Sequence, residues 1–112
     1  MSVEQEEKGT SLVGYLVDMS MMEFKSMIDK VNMTALLNIQ QTLHIGFNYS
    51  VMVKNALIEA IETDPQGSRE VSDAVADLHA VLMRIEARYL LVKEVVKQRD
   101  SDTDIAYRNL RN

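Results

Sequence analysis

The feature that most constrains the fold is a run of 23 positions, Val31 to Val53, that contains no charged residue. The run is long enough for a membrane span, which needs about 20 apolar residues. Its amide, hydroxyl and imidazole groups, including Asn38, Gln41 and Asn48, are too many for positions that face hydrocarbon. We therefore expect no membrane span, and we expect this segment to be buried against protein.

The same segment has two readings as secondary structure. Residues 43–54 alternate between apolar and polar side chains, which is the period of a strand. Wound as a helix over about 34–62, the segment places its polar residues on one narrow stripe, made of Gln41, His44, Asn48, Asn55, Glu59 and Glu62. We favour the helix, with Gly46 as the position of a kink. A helix that is apolar in most other directions is expected to be buried on most sides.

A second long helix follows a turn signal, Asp64-Pro65-Gln66-Gly67-Ser68. From Val71 the sequence follows a heptad pattern, and the positions that carry it are Val71, Val75, Leu78, Leu82, Ile85, Tyr89, Val92 and Val96. The pattern predicts a helix over about 69–99. Two long helices joined by a short turn fold back as an antiparallel hairpin.

The ends of the chain are less regular. Residues 1–10 are expected to form a flexible acidic arm, and residues 11–99 a single helical domain. Apolar residues at helical spacing predict a helix over about 11–31, but Ser20 followed by Glu23 matches a capping box, so two short helices are equally open. Residues 100–112 read as an acidic tail that begins with a helix break, with a short helix as one option.

Composition limits the function. The chain has 17 acidic residues against 12 Lys and Arg, which argues against nucleic-acid binding because phosphates are neutralised by clustered cations. No cysteine is present, and the start of the chain lacks the basic and apolar regions of a secretory signal. We expect a cytoplasmic protein.

No arrangement of residues indicates a catalytic, metal or cofactor site. The sequence has no nucleophile–base pair and no glycine-rich phosphate loop. His44 and His79 lack the helical spacing of metal ligands. Asp100, Asp102 and Asp104 resemble the start of a calcium loop, but the glycine and glutamate that such a loop requires are missing. We therefore predict no catalytic residues, no metal and no cofactor.

The apolar surface of the helices exceeds what one three-helix monomer covers. Large exposed apolar patches are rare on monomers, so we predict an all-α hairpin whose helical bundle is completed by oligomerisation, with a dimer as the first expectation. Arg88 interrupts the apolar stripe of the last helix, and it either extends to solvent or pairs with an acid of a partner chain. The candidate partner-binding residues are Met19, Met21, Met22, Phe24, Met27, Phe47, Tyr49, Met52, Met83, Arg88, Leu90 and Leu91.

The leading functional prediction is a non-enzymatic protein–protein interaction module: an oligomeric adaptor, an assembly chaperone or a small structural subunit. One alternative is a small acidic regulator that inhibits a basic protein. Another is a subunit of a larger secretion-type or phage-type assembly. Residues Val53–Ala60 resemble the terminal helix of flagellar rod-adaptor and export-rod proteins, but the likeness stops there and identifies no family.

Overall fold

The computed structural model describes residues 12–111, and nearly all of them are helical. The predicted acidic arm, residues 1–10, lies outside the described residues. The elements are α1 (residues 12–18), α2 (Met21–Lys30), α3 (Met33–Thr63), a short 3₁₀ turn (Pro65–Gly67) and α4 (Ser68–Arg111). No strand occurs between residues 12 and 111, so the all-α prediction is confirmed.

The N-terminal region consists of two helices, which resolves the alternative that the sequence left open. Ser20 is extended at φ −63° and ψ 157°, and its hydroxyl accepts a hydrogen bond from the backbone N–H of Glu23 at 3.1 Å. This contact satisfies one of the amide groups that the first turn of a helix leaves without a partner. The break between α1 and α2 therefore lies at the capping position that the sequence indicated.

Helix α3 is a single helix through residues 43–54, so the helix prediction is confirmed and the strand alternative is wrong. It begins after Asn32, whose side-chain oxygen accepts a hydrogen bond from the N–H of Ala35 at 2.8 Å. Gly46 lies at a close approach between helices and α3 continues through it, while the kink predicted there stays a prediction. A Cβ atom at Gly46 would lie 3.0 Å from Cγ2 of Val13, so the missing side chain lets α1 pack closely against α3.

Helix α4 begins at Ser68, close to the predicted start, after a turn in which Asp64 Oδ1 accepts a hydrogen bond from the N–H of Gln66 at 3.3 Å. It does not end near residue 99. The helix continues to Arg111, so the predicted break at Asp100 is wrong.

Contacts between side chains one turn apart support the last part of α4. The amide of Gln98 donates to Asp102 Oδ1 at 3.2 Å, and the carboxylate of Asp104 lies 3.1 Å from the guanidinium of Arg108. Pairs at this spacing stabilise a helix by a few tenths of a kcal/mol each, about the size of the penalty for an Asp inside a helix. Residues 100–110 are all exposed, and we call residues 100–111 the overhang.

The two long helices pack against each other as the predicted hairpin, and α1 and α2 cover one side of its far end. The buried apolar side chains come from all four helices and are Leu16, Val17, Phe24, Ile28, Leu36, Leu43, Leu82, Ile85 and Val92. The molecule is elongated, with extents of 70 × 29 × 23 Å. Along residues 12–111, no helix combines the length and the apolar character that a bilayer crossing requires.

Candidate protein-interaction surface

Arg88 is the only charged residue that is buried among those whose burial the structure describes, with 5% of its surface exposed. Its Nε donates to the carbonyl of Leu16 at 2.9 Å, and its Nη2 donates to the carbonyl of Met19 at 2.7 Å. Its Nη1 donates to the carbonyl of Arg84 at 3.2 Å, and its guanidinium lies 5.8 Å from the centre of the Phe24 ring. Arg88 therefore fastens the C-terminal end of α1 to α4.

The electrostatics of Arg88 follow from this position. Burial lowers the pKa of its guanidinium, and the positive charge of Arg84 lowers it further. The carbonyls at the end of a helix carry the negative end of the helix dipole, which favours a cation there. The sequence predicted either a side chain that extends to solvent or an ion pair with a partner's acid. Both interpretations differ from the structure, in which the guanidinium binds backbone carbonyls of its own chain.

Arg99 binds the C-terminal end of α2 in the same way. Its Nη1 donates to the carbonyl of Val31 at 2.6 Å, and its Nη2 donates to the carbonyls of Ile28 at 2.9 Å and Asp29 at 3.2 Å. Arg88 and Arg99 are about three helical turns apart and lie on the same side of α4. Each short helix is thus held by one arginine at the end where carbonyls lack intrahelical partners.

The structure separates the predicted partner-binding residues into three groups, which are buried, partly buried and exposed. Phe24 and Arg88 are buried within the chain and therefore do not present a free surface, while Met19, Met27, Phe47 and Leu91 are partly buried against the core. The remaining candidates are exposed, and they are Met21, Met22, Tyr49, Met52, Met83 and Leu90. Most of this exposed group lies on the two long helices.

One exposed apolar stripe follows the outer face of α3, on the side turned away from α4. Its residues are spaced by four, three and four positions, which keeps them on one helix face. Ile45, Tyr49 and Met52 are 59%, 66% and 70% exposed, and Ala56 is exposed as well. We call Ile45, Tyr49, Met52 and Ala56 the α3 seam. Sequence reasoning missed Ile45 and Ala56, although the spacing signal was present.

A second exposed stripe follows the outer face of α4 with the same spacing. Met83 and Leu90 are 55% and 54% exposed, and the three alanines between and before them are exposed. We call Ala76, Ala80, Met83, Ala87 and Leu90 the α4 seam. The sequence predicted Met83 and Leu90 as partner-binding residues but not the three alanines, which give a weak apolar signal.

The polar stripe predicted for α3 is exposed at all of its positions, and part of it lines a shallow groove between α3 and α4. The groove has a volume of about 300 Å³ and is lined by His44, Phe47, Asn48, Glu86, Tyr89 and Leu90. His44 Nε2 lies 3.3 Å from the side-chain nitrogen of Asn48, and the His44 and Tyr89 rings are 5.8 Å apart. The histidine is thus engaged by neighbouring polar and aromatic groups.

Across residues 12–111, no group of three or more histidine or carboxylate side chains is placed to hold a metal ion. Comparisons of the chain with protein-family models, with curated proteins and with solved structures found no match.

Proposed function

We propose that this protein is a non-enzymatic helical interaction module that works by packing against other protein chains, in the first place against copies of itself. One observation carries the proposal: large apolar side chains line the outer faces of both long helices. Tyr49, Met52 and Met83 are more than half exposed. Scattered apolar residues are ordinary on a protein surface, but continuous stripes of them mark interaction sites.

The size of the effect favours reversible assembly. Full burial of one large apolar side chain contributes about 1.5–3 kcal/mol, so the partly exposed residues of the two seams contribute roughly 5–10 kcal/mol together. Association costs about 4–15 kcal/mol in lost translational and rotational freedom. Because the two terms are similar, we expect an assembly whose size depends on protein concentration. An oligomeric adaptor, an assembly chaperone and a small structural subunit are roles that such a module can fill.

The test is the solution mass, measured by light scattering on a sizing column over a series of concentrations. The proposal predicts a mass above the 12.7 kDa of one chain that rises with concentration. Added salt leaves apolar packing in place, whereas it screens the contacts of an acidic regulator with a basic partner. A mass of 12.7 kDa at every concentration rules out self-association.

A further inference from the structure

We propose that copies of the chain associate head to tail, with the α3 seam of one copy packed against the α4 seam of the next. This inference rests on the proposed self-association and specifies its contact. The two seams lie at opposite outer edges of the hairpin. Helices α1 and α2 pack on one face between these edges, through Val13 on Gly46 and through the contacts of Arg88 and Arg99. Both edges are therefore accessible to a second copy.

The two seams occupy the same part of the hairpin along its long axis. Inside one chain α3 and α4 run antiparallel, with Lys54 Nζ 3.1 Å from His79 Nδ1. A neighbouring copy placed side by side, with almost no shift along the helix axis, repeats this antiparallel register between its α4 and the first copy's α3. The seam residues then face each other pair by pair: Ile45 with Ala87, Tyr49 with Met83, Met52 with Ala80 and Ala56 with Ala76.

Two of the four facing pairs, Ile45 with Ala87 and Met52 with Ala80, also place a large side chain opposite a small one. The α3 seam presents Ile45, Tyr49 and Met52, whereas alanine occupies three of the five positions of the α4 seam. Large side chains of one helix fit into the spaces that small side chains leave on another, which is the geometry of knobs-into-holes packing. Both seams have the spacing of four and three that such packing requires.

Charge allows the same pairing along the seams themselves. Ile45, Tyr49 and Met52 lie inside the run without charged residues, so they approach Arg84 and Glu86 without like-charge repulsion. Just beyond the seams the same register places Glu59 opposite Asp73, and this pair of like charges opposes the contact. A symmetric packing of two α4 seams about Met83 brings Arg84 close to its own counterpart in the second copy. A symmetric packing of two α3 seams leaves both α4 seams exposed to water. Only the head-to-tail contact covers one seam of each kind.

A head-to-tail contact has a consequence for assembly size. A dimer of this kind still has one free α3 seam and one free α4 seam, so growth continues until a ring closes or a filament forms. A symmetric contact instead stops at two copies. The dimer expected from the sequence is then only the first step of assembly.

Two seam variants and their mixture test the proposal. The first variant, Tyr49→Glu with Met52→Glu, keeps only the α4 seam, and the second, Ala80→Glu with Met83→Glu, keeps only the α3 seam. Each alone is expected at 12.7 kDa, and the equimolar mixture at about twice that mass, because the two intact seams bind each other once. Leu110→Glu, a change at an 86% exposed position of the overhang, is the control and should assemble like the unmodified chain. Circular dichroism confirms that the variants stay helical.

The other outcomes overturn the proposal. If one variant assembles normally while the other is a monomer, the contact is symmetric through the seam that the monomeric variant has lost. If both variants assemble like the unmodified chain, or if their mixture stays at 12.7 kDa, the seams do not bind each other. If the unmodified chain is itself a monomer, the proposed function fails, and this inference fails with it.

Discussion

The two ends of the hairpin differ in how much they bury. All the buried side chains of the described residues lie in residues 12–43 and 82–99, where α1 and α2 pack on the hairpin. Phe24, Ile28 and Ile85 among them are 0% exposed. We call residues 12–43 and 82–99 the covered region. In residues 44–81, which we call the bare hairpin, none of the described side chains is buried. The sequence supplies apolar residues to both ends, so the difference comes from the number of helices that surround them.

Two packed helices share one line of contact, and solvent can reach a residue on that line from both faces of the hairpin. A third helix closes one of the sides, which is the reason that layered helical folds form a core. In this chain α1 and α2 do so only as far as Gly46, where Val13 packs. Beyond that point the apolar surface of α3 and α4 has no cover within the described chain. The proposed association uses the seams, which lie at the outer edges of the hairpin and extend from the bare hairpin into residues 82–90.

The largest expected effect comes from equal truncations in the two regions. Ile85→Ala removes a fully buried side chain, and we expect it to lower the free energy of unfolding by roughly 3 kcal/mol. Ile58→Ala removes the same atoms at a position that is 37% exposed, and we expect a loss below about 1.5 kcal/mol. Urea unfolding of dilute protein, followed by circular dichroism, measures both. Equal losses of unfolding free energy in the two variants would contradict the claim that the covered region buries more than the bare hairpin.

The next effect concerns the arginine that holds α1 in the covered region. Arg88→Met keeps the apolar part of the side chain but leaves the carbonyls of Leu16 and Met19 without their donor, so we expect a loss of about 2–3 kcal/mol. Arg84→Met, at an exposed position of the same helix, should cost less than about 0.5 kcal/mol.

High salt serves as a second control for Arg88. Its partners are neutral carbonyls and not carboxylates, so the loss caused by Arg88→Met should persist in high salt. A loss that disappears in salt would mean that Arg88 acts as the partner of an acid.

A smaller effect is expected at Arg99, which holds α2. Arg99 is half-buried, and water can replace part of its contact with the carbonyls of Ile28 and Val31. We expect Arg99→Met to lower the free energy of unfolding by about 1 kcal/mol. Arg108→Met, which breaks an exposed ion pair in the overhang, is the matched control and should cost under about 0.5 kcal/mol. A larger loss at Arg108 would show that the overhang takes part in the fold.

The smallest expected effect compares two glycines. Gly14→Ala has no atom within 4 Å of the new Cβ, so helix propensity alone should stabilise the chain by about 0.5–1 kcal/mol. At Gly46 the new Cβ would lie 3.0 Å from Val13, and the shift this requires should cancel most of the same gain. Thermal unfolding of both variants gives the comparison. Equal gains would mean that α1 does not pack closely on α3.

Local patterns predicted much of the fold. The side chain of Ser20 caps a helix by a contact three residues away, and the turn after α3 contains the proline and glycine that are typical of turns. The buried heptad that includes Ile85 identified the face of α4 that meets α3. Such signals can be recognised from a single sequence because each depends only on residues that are close together along the chain.

The role of Arg88 and the length of α4 could not be predicted in the same way. Arg88 binds carbonyls that are 72 and 69 positions away, and those carbonyls are free only because α1 ends where it does. In the overhang the low helix propensity of three aspartates suggested a break. Contacts such as the one from Gln98 to Asp102 favour the helix instead. Four seam residues, Tyr49, Met52, Met83 and Leu90, were among the predicted candidates. The alanines of the seams were missed because alanine gives a weak apolar signal, and Ile45 was missed because only the structure shows which face is covered.

The most direct test of the account is backbone hydrogen–deuterium exchange, measured by mass spectrometry at a low and a high protein concentration. In dilute solution the bare hairpin should exchange faster than residues 82–99, because it has fewer buried contacts. At high concentration exchange should slow in residues 45–56 and 76–90, which contain the seams, while residues 21–30 stay unchanged. Exchange in the seams that is the same at both concentrations would contradict the claim that a second copy covers them.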